Sequence, residues 1–307
     1  MEHPEDKVDD LVATGADLMT EGDYHAAAAR FGRATELGPG MADAWNGLGT
    51  AYERLERRDD ALACYARASA IAPESFDGWF NLGNSLAETD VSGAANAYER
   101  ALAANPADPR AWFNLGFARA RSGELEAALA AYRESLRYRP DDPSTWYNIA
   151  NILLDASRIA EAIACYQQAL ALDPHDFDVW NNIGNCWTRE GDLGEAIRCY
   201  ARAASTRPDA APAWNNLGNT WSRLGALDRA VHCFREAIRL EKETAGFYLG
   251  RAVALARIGS LNDALRDLLK ALELNPTLAA TLASIRPLRP LLGAPALREM
   301  TRVPASP

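Results

Sequence analysis

The sequence predicts an all-α chain built as a solenoid of about eight helix-turn-helix repeats, and three observations carry that prediction. Trp45, Trp79, Trp112, Trp146, Trp180 and Trp214 recur at steps of 34, 33, 34, 34 and 34 residues. Other residue types keep the same phase: the second repeat reads Trp45, Leu48, Gly49, Tyr52, Ala61, Tyr65, Ala68, Pro73, and the sixth reads Trp180, Ile183, Gly184, Trp187, Ala196, Tyr200, Ala203, Pro208. Prolines punctuate the period at Pro39, Pro73, Pro106, Pro140, Pro174, Pro208 and Pro276. A period of this length marks helix pairs that are each too small to bury their own apolar face and bury it against their neighbours instead.

With the recurring tryptophan as position 4, the repeats run 8–41, 42–75, 76–108, 109–142, 143–176, 177–210, 211–244 and 245–278. Positions 4, 7, 8 and 11 form one stripe on a first helix, and positions 20, 24 and 27 form one on a second. Gly49, Gly83 and Gly116 at position 8, and Ala61, Ala128 and Ala162 at position 20, are small where two helices must approach closely. The prolines stop the second helix.

Departures mark special repeats. The first has no tryptophan and carries Leu11, Gly15, Ala27, Phe31 and Pro39, as a terminal repeat would. The third is one residue short between Glu88 and Ala94, which predicts a tightened inter-helix turn. The fourth has Arg119 where its neighbours have Leu153, Trp187 and Trp221, and a snorkelling arginine with an acidic partner is expected there. The seventh has Lys242 in place of the stopping proline, and the eighth keeps only Tyr248, Leu255, Gly259, Ala264, Leu268, Ala271 and Pro276. Residues 1–7 are expected as an N-terminal tail, 279–302 as a C-terminal capping segment with a short helix ended by Pro287 and a last turn at 295–300, and 303–307 as a disordered tail.

The residues W-x2-L-G-x2-Y, then A-x3-F, then P over 34 residues are the pattern that these repeats resemble, that of the tetratricopeptide family. The resemblance covers residues 8–278 and implies a right-handed superhelix whose concave groove holds a segment of another protein, without catalysis.

Composition narrows the function classes. The chain has 32 basic and 42 acidic side chains, a net charge of −10, and no Lys/Arg run, which disfavours nucleic acid. Five acidic residues among the first ten, and no apolar run near 18 residues, argue against a secretory leader and against membrane insertion, so a cytoplasmic location is expected. Cys64, Cys165, Cys186, Cys199 and Cys233 are an odd set without C-x-x-C spacing, expected as reduced thiols rather than disulfides or a zinc site. The four histidines, His3, His25, His175 and His232, pair with nothing at metal or triad spacing, and Gly47 and Gly49 fall inside a helix rather than in a phosphate loop. No cofactor, metal or catalytic residue is expected.

What remains is the face opposite the core stripe. At about 100° per residue, positions 2, 6, 9 and 13 of the first helix point away from the core. Position 6 carries Asn81, Asn114, Asn148, Asn182 and Asn216, and position 9 carries Asn84, Asn151, Asn185 and Asn219. Asparagine costs roughly 0.5 kcal/mol relative to alanine in a helix, on the order of 4 to 5 kcal/mol for the row. It also presents a donor pair and an acceptor on a short stem, suited to the N–H and C=O of an extended backbone. Asn-to-Asn bonding between neighbouring helices, or descent from one duplicated unit, would also account for the row. On the flank, position 5 holds Phe80, Phe113 and Tyr147 as candidate side-chain anchors, with partial burial between repeats as the competing reading. The arginines at position 13 and aspartates at position 2 say little. The row is similar to the asparagine ladder of tetratricopeptide arrays of the O-linked N-acetylglucosamine transferase type, without the catalytic domain. It does not resemble a carboxylate clamp, because position 5 never carries Lys and position 6 never carries Arg. The resulting expectation is a scaffold binding an extended segment of a partner protein. The alternatives are a self-associating assembly platform and a targeting subunit of a separate enzyme such as a glycosyltransferase.

Overall fold

The computed structural model describes residues 4–297, which are helical almost throughout. They fall into two compact bodies, one ending at Ile152 and one beginning at Leu153, and the division lies inside a helix. The first body holds α1 (Pro4–Glu21) with α2 (Tyr24–Leu37), α3 (Ala42–Arg54) with α4 (Arg58–Ile71), α5 (Phe76–Leu86) with α6 (Val91–Ala104), α7 (Pro109–Arg121) with α8 (Leu125–Tyr138), and most of α9 (Pro143–Asp155). The second holds α10 (Ile159–Leu172), α11 (Phe177–Glu190) with α12 (Leu193–Thr206), α13 (Ala211–Leu224) with α14 (Leu227–Leu240), and α15 (Ala245–Ile258) with α16 (Leu261–Leu274). Within each body, successive helices pack on one another as helix-turn-helix pairs. Helix α1 begins at Pro4, inside the stretch expected as a tail.

Aspartates start several of these helices by accepting from first-turn amides: Asp90 from Gly93, Asp108 from Arg110 and Ala111, Asp176 from Val179, Asp192 from Glu195. In six of the eight pairs the core is an aromatic ring of the second helix laid on a glycine of the first. A Cβ at Gly49 would lie 2.7 Å from Tyr65 Cε1, and one at Gly184 would lie 2.6 Å from Tyr200 Cε1. Tyr65, Tyr98, Tyr132, Tyr166 and Phe234 are fully buried.

The inter-helix turn repeats a left-handed residue at the same place: Gly22, Glu56, Gly123, Ser157, Gly191, Gly225 and Gly259 all have positive φ. The third repeat has none, and this corrects the expected tightening. Its turn is residues 87–90, closed by Thr89 and Asp90 amides on the Leu86 carbonyl, and α5 is cut to 11 residues where α3 and α7 have 13. The missing residue is the left-handed one. Without it the chain reverses by unwinding the end of the first helix.

The prolines do more than stop a helix. Every second helix is 14 residues long, including α14, which is followed by Lys242. The proline carbonyl accepts from the next tryptophan: Trp45 on Pro39 (3.1 Å), Trp79 on Pro73 (2.9 Å), Trp112 on Pro106 (2.8 Å), Trp146 on Pro140 (3.2 Å), Trp180 on Pro174 (3.0 Å) and Trp214 on Pro208 (3.0 Å). Where Lys242 replaces the proline, Tyr248 replaces the tryptophan. The tryptophans are half-buried, so the recurrent position is a polar latch as well as core.

The expected closing helix is drawn tighter than an α-helix. Residues Pro276–Ser284 and Arg286–Leu291 are 3-10 segments, and Pro287 lies within the second rather than ending the first. Pro287 and Pro290 lack the N–H that an α ladder needs there. Leu282, Leu288, Leu291 and Leu297 are buried against Ala252, Ala264, Leu268 and Leu272, which closes the apolar face of the last pair. The remainder of the expected last turn, residues 298–300, and the tail 303–307 lie outside the described residues.

Candidate functional site

The asparagine face is wired to the tyrosines beneath it. In the first body, the Tyr98 hydroxyl donates to Asn84 Oδ1 at 2.9 Å, and Asn114 Nδ2 donates to the same oxygen at 2.9 Å. Asn81 Nδ2 donates to Asn46 Oδ1 at 2.9 Å. Asn148 turns back on its own helix, donating to the Ser144 carbonyl at 2.9 Å, and Asn151 is half-buried. In the second body, the Tyr200 hydroxyl donates to Asn185 Oδ1 at 2.7 Å, Asn185 donates to Asn182 Oδ1 at 3.4 Å, and Asn216 donates to Asn181 Oδ1 at 3.0 Å. Asn219 stands exposed over Phe234, which has no hydroxyl to satisfy. Burial pushes the Tyr98 hydroxyl up to about 12, so it stays protonated and donating at neutral pH.

This wiring follows a rule visible in the sequence but not noticed there. Where position 24 is tyrosine, the next repeat has asparagine at position 6, as in Tyr65 with Asn81, Tyr98 with Asn114, Tyr132 with Asn148, Tyr166 with Asn182 and Tyr200 with Asn216. Where it is phenylalanine, the next repeat has glycine: a Cβ at Gly47 would collide with the Phe31 ring, and one at Gly250 with Phe234. At Tyr98 and Tyr200 a position-9 asparagine of the same repeat accepts from a hydroxyl that would cost about 1 to 3 kcal/mol if left unpaired, which offsets part of the helix-propensity cost of the row. Bonding between neighbouring helices therefore accounts for part of the asparagine pattern.

The flanking aromatics are half-buried. Phe80 stacks on Phe76 with centroids 5.2 Å apart and is tilted on Tyr98 at 6.0 Å, and the Arg110 guanidinium lies 5.0 Å from its centre. Phe113 is tilted on Tyr132 at 5.5 Å. Tyr147 is half-buried. The structure adds Phe117, which the sequence reading passed over. It is 43% exposed and occupies position 9, where four other repeats have the ladder asparagines. Phe117, Phe113, Ala87, Ala118 and Tyr98 line an open cleft of about 350 Å³, with Asn84, Asn114 and Asn148 at its margin. The break in the asparagine row was the signal that could have located it.

Three of the position-13 arginines cross-link successive repeats. Arg189 donates to the Leu154 carbonyl at 3.1 Å, and Arg121 and Arg257 donate likewise to the Ala87 and Ser222 carbonyls. Each carbonyl lies at or next to the C-terminal end of the preceding repeat's first helix, where positive charge is favoured. Arg119 bridges Glu99 and Glu124, as expected of a snorkelling arginine.

Three family models bear on these repeats. Models described as tetratricopeptide repeat match residues 86–143 with 147–213, residues 18–82 and residues 211–243, which together span most of the chain. The chain belongs to the tetratricopeptide repeat family. Among solved structures, the tetratricopeptide protein YrrB, described as having an unusual peptide-binding site, is 22% identical with a TM-score of 0.54, over 62% of this chain and 99% of its own. The C-terminal part of a tetratricopeptide protein from Cytophaga hutchinsonii is 14% identical with a TM-score of 0.68, over 78% and 98%. MamA from Desulfovibrio magneticus is 20% identical with a TM-score of 0.52, over 55% and 96%. No curated protein matches the chain significantly. These likenesses establish the fold.

Among the described residues no three His, Cys, Asp or Glu groups are placed to hold a metal, and no helix is long and apolar enough to cross a membrane. The cysteines are free thiols, and burial pushes Cys64, Cys186, Cys199 and Cys233 up to about 11. Two depressions in the second body, one lined by Trp214, Trp221 and His232 and the other by Trp180, Cys199 and Arg202, include no ladder residue. In the eighth repeat Arg251 stands where most repeats have leucine or isoleucine at position 7, and it forms a bidentate pair with Asp267 at 2.6 and 2.7 Å.

Proposed function

We propose that this tetratricopeptide chain is a non-catalytic scaffold that holds an extended segment of a partner protein against the asparagine face, working in the cytoplasm with its thiols reduced. The observation that carries the reading is the cluster of Asn84, Asn114 and Asn148 around an apolar cleft, because amides beside an apolar floor suit a backbone carrying side chains. Asn81, Asn114 and Asn148 at position 6 would read the main chain, as Asn182 and Asn216 would in the second body. Asn84 and Asn185 act through the tyrosines they hold, and Asn151 and Asn219 extend the row. Phe80, Phe113 and Tyr147 would flank the bound segment. The comparison with YrrB lends support, since that protein is described as binding peptide. The likeness of the row to the ladder of the O-linked N-acetylglucosamine transferase type points the same way.

The test is selection of unstructured 12-residue peptides from a displayed library on the full chain, followed by titration calorimetry with a selected peptide. The triple variant Asn81→Ala, Asn114→Ala, Asn148→Ala should bind it about tenfold or more weakly, since each main-chain bond contributes about 0.5 to 1.5 kcal/mol. Equal binding by a folded triple variant would sink the ladder mechanism. A second reading, self-assembly, is favoured by exposed Leu224, Ile258 and Leu261 in the second body. Light scattering on the purified chain decides it, and a monomer at high concentration would rule it out.

A further inference from the structure

The cleft of the first body lies where the wiring of the asparagine face is interrupted. In three repeats the buried tyrosine bonds the side chain at position 9: Tyr65 to Thr50, Tyr98 to Asn84, Tyr200 to Asn185. In the fourth, position 9 is Phe117, so the buried Tyr132, 1% exposed, meets no polar side chain at that position. Its ring lies tilted against Phe113, a wall of the cleft. Asn148, the next ladder residue, is bonded only to its own helix. The substitution thus removes a polar partner and turns an aromatic ring outward. A phenylalanine 43% exposed in a row otherwise held by asparagine is unfavourable for the free chain and favourable for one that is covered when bound.

The occupant's chemistry follows from the lining. Ala87, Phe113, Phe117 and Ala118 form an apolar floor, and the cleft's lining holds no acidic side chain although the chain carries a net charge of −10. The nearest stacked charge is the Arg121 guanidinium, 5.9 Å from the Phe117 ring centre, with one N–H on the Ala87 carbonyl and donors to spare. We infer that the Phe117 cleft takes one bulky apolar side chain, leucine, isoleucine, methionine or phenylalanine, from an extended segment of a partner whose adjacent residue carries a carboxylate for Arg121. The inference rests on the peptide-holding reading above and sets its sequence preference.

The test uses the full chain and the same displayed 12-residue library. Selected peptides should share a bulky apolar residue with Asp or Glu within two positions of it. Replacing that apolar residue by alanine should weaken binding about tenfold or more, the effect of exposing one large apolar side chain. The variant Phe117→Asn, which restores the residue used at this position in four other repeats, should fold normally and lose the apolar preference in the same measure. A benzoylphenylalanine placed at the apolar position should crosslink to α7. Peptides that bind without a shared apolar residue, or that bind Phe117→Asn as tightly as the parent, overturn the cleft assignment and leave the groove reading standing. Failure to select any peptide overturns both.

Discussion

At the scale of single residues, the asparagine row divides into two groups that respond differently to the same substitution. Asn185 accepts from the hydroxyl of buried Tyr200 at 2.7 Å, and Thr188 Oγ1 is that hydroxyl's other, longer partner at 3.3 Å. Asn185→Ala should therefore lower stability by about 1 kcal/mol in urea unfolding, the effect of losing the shorter bond. Asn148 bonds only a carbonyl of its own helix, so Asn148→Ala should leave stability level or raise it by up to about 0.5 kcal/mol. Equal losses at both would mean that the tyrosine bond is not what Asn185 supplies. Glu56 and Ser157 sit in the left-handed region where five other repeats have glycine. Glu56→Gly should therefore raise the urea midpoint, by about 0.5 to 1 kcal/mol of stability, since relief of the left-handed conformation exceeds the entropy glycine adds to the unfolded chain.

At the scale of elements, neighbouring repeats are joined by two recurrent polar contacts besides apolar packing. Trp180→Phe keeps most of the ring's contact area and removes its bond to the Pro174 carbonyl, so a loss of about 1 kcal/mol is expected. Arg257→Ala removes a charged donor from the C-terminal end of α13, and should cost about 0.5 to 1 kcal/mol, reduced by salt. Thermal unfolding at low and high ionic strength separates the two, because only the arginine effect is screened. Period and phase made these pairs legible from the sequence as tryptophan, proline and arginine at fixed offsets. Which atom of each makes the contact was not legible, because a spacing along the chain does not report a carbonyl's direction.

At the scale of the whole molecule, the last repeat departs from the pattern in both its core pair and the segment that closes it. The Arg251 and Asp267 side chains are 21% and 7% exposed, and a pair taken this far out of water is costly to break but not to replace. Asp267→Ala should lose about 3 kcal/mol, and the double variant Arg251→Leu, Asp267→Ala should recover most of it; no recovery would show that Asp267 matters for something other than its partner. Leu288 is completely buried against the last pair, so Leu288→Ala should cost about 2 to 5 kcal/mol, and an unchanged melting curve would show the closing segment to be dispensable.

The amino-acid sequence by itself determined the helix pairs, their number, their family and the face on which asparagine recurs, because a 34-residue period fixes which residues share a stripe. Only the tertiary structure decided what those asparagines touch. Tyr98 and Asn114 lie on different helices and reach the same oxygen of Asn84, a convergence that depends on how three helices pack. It also decided that the short third repeat loses helix rather than turn, since the choice rests on where a left-handed residue is available. Phe117 belongs to both levels: its place in the row was readable, but its exposure and its share in the cleft follow from the packing of the fourth repeat.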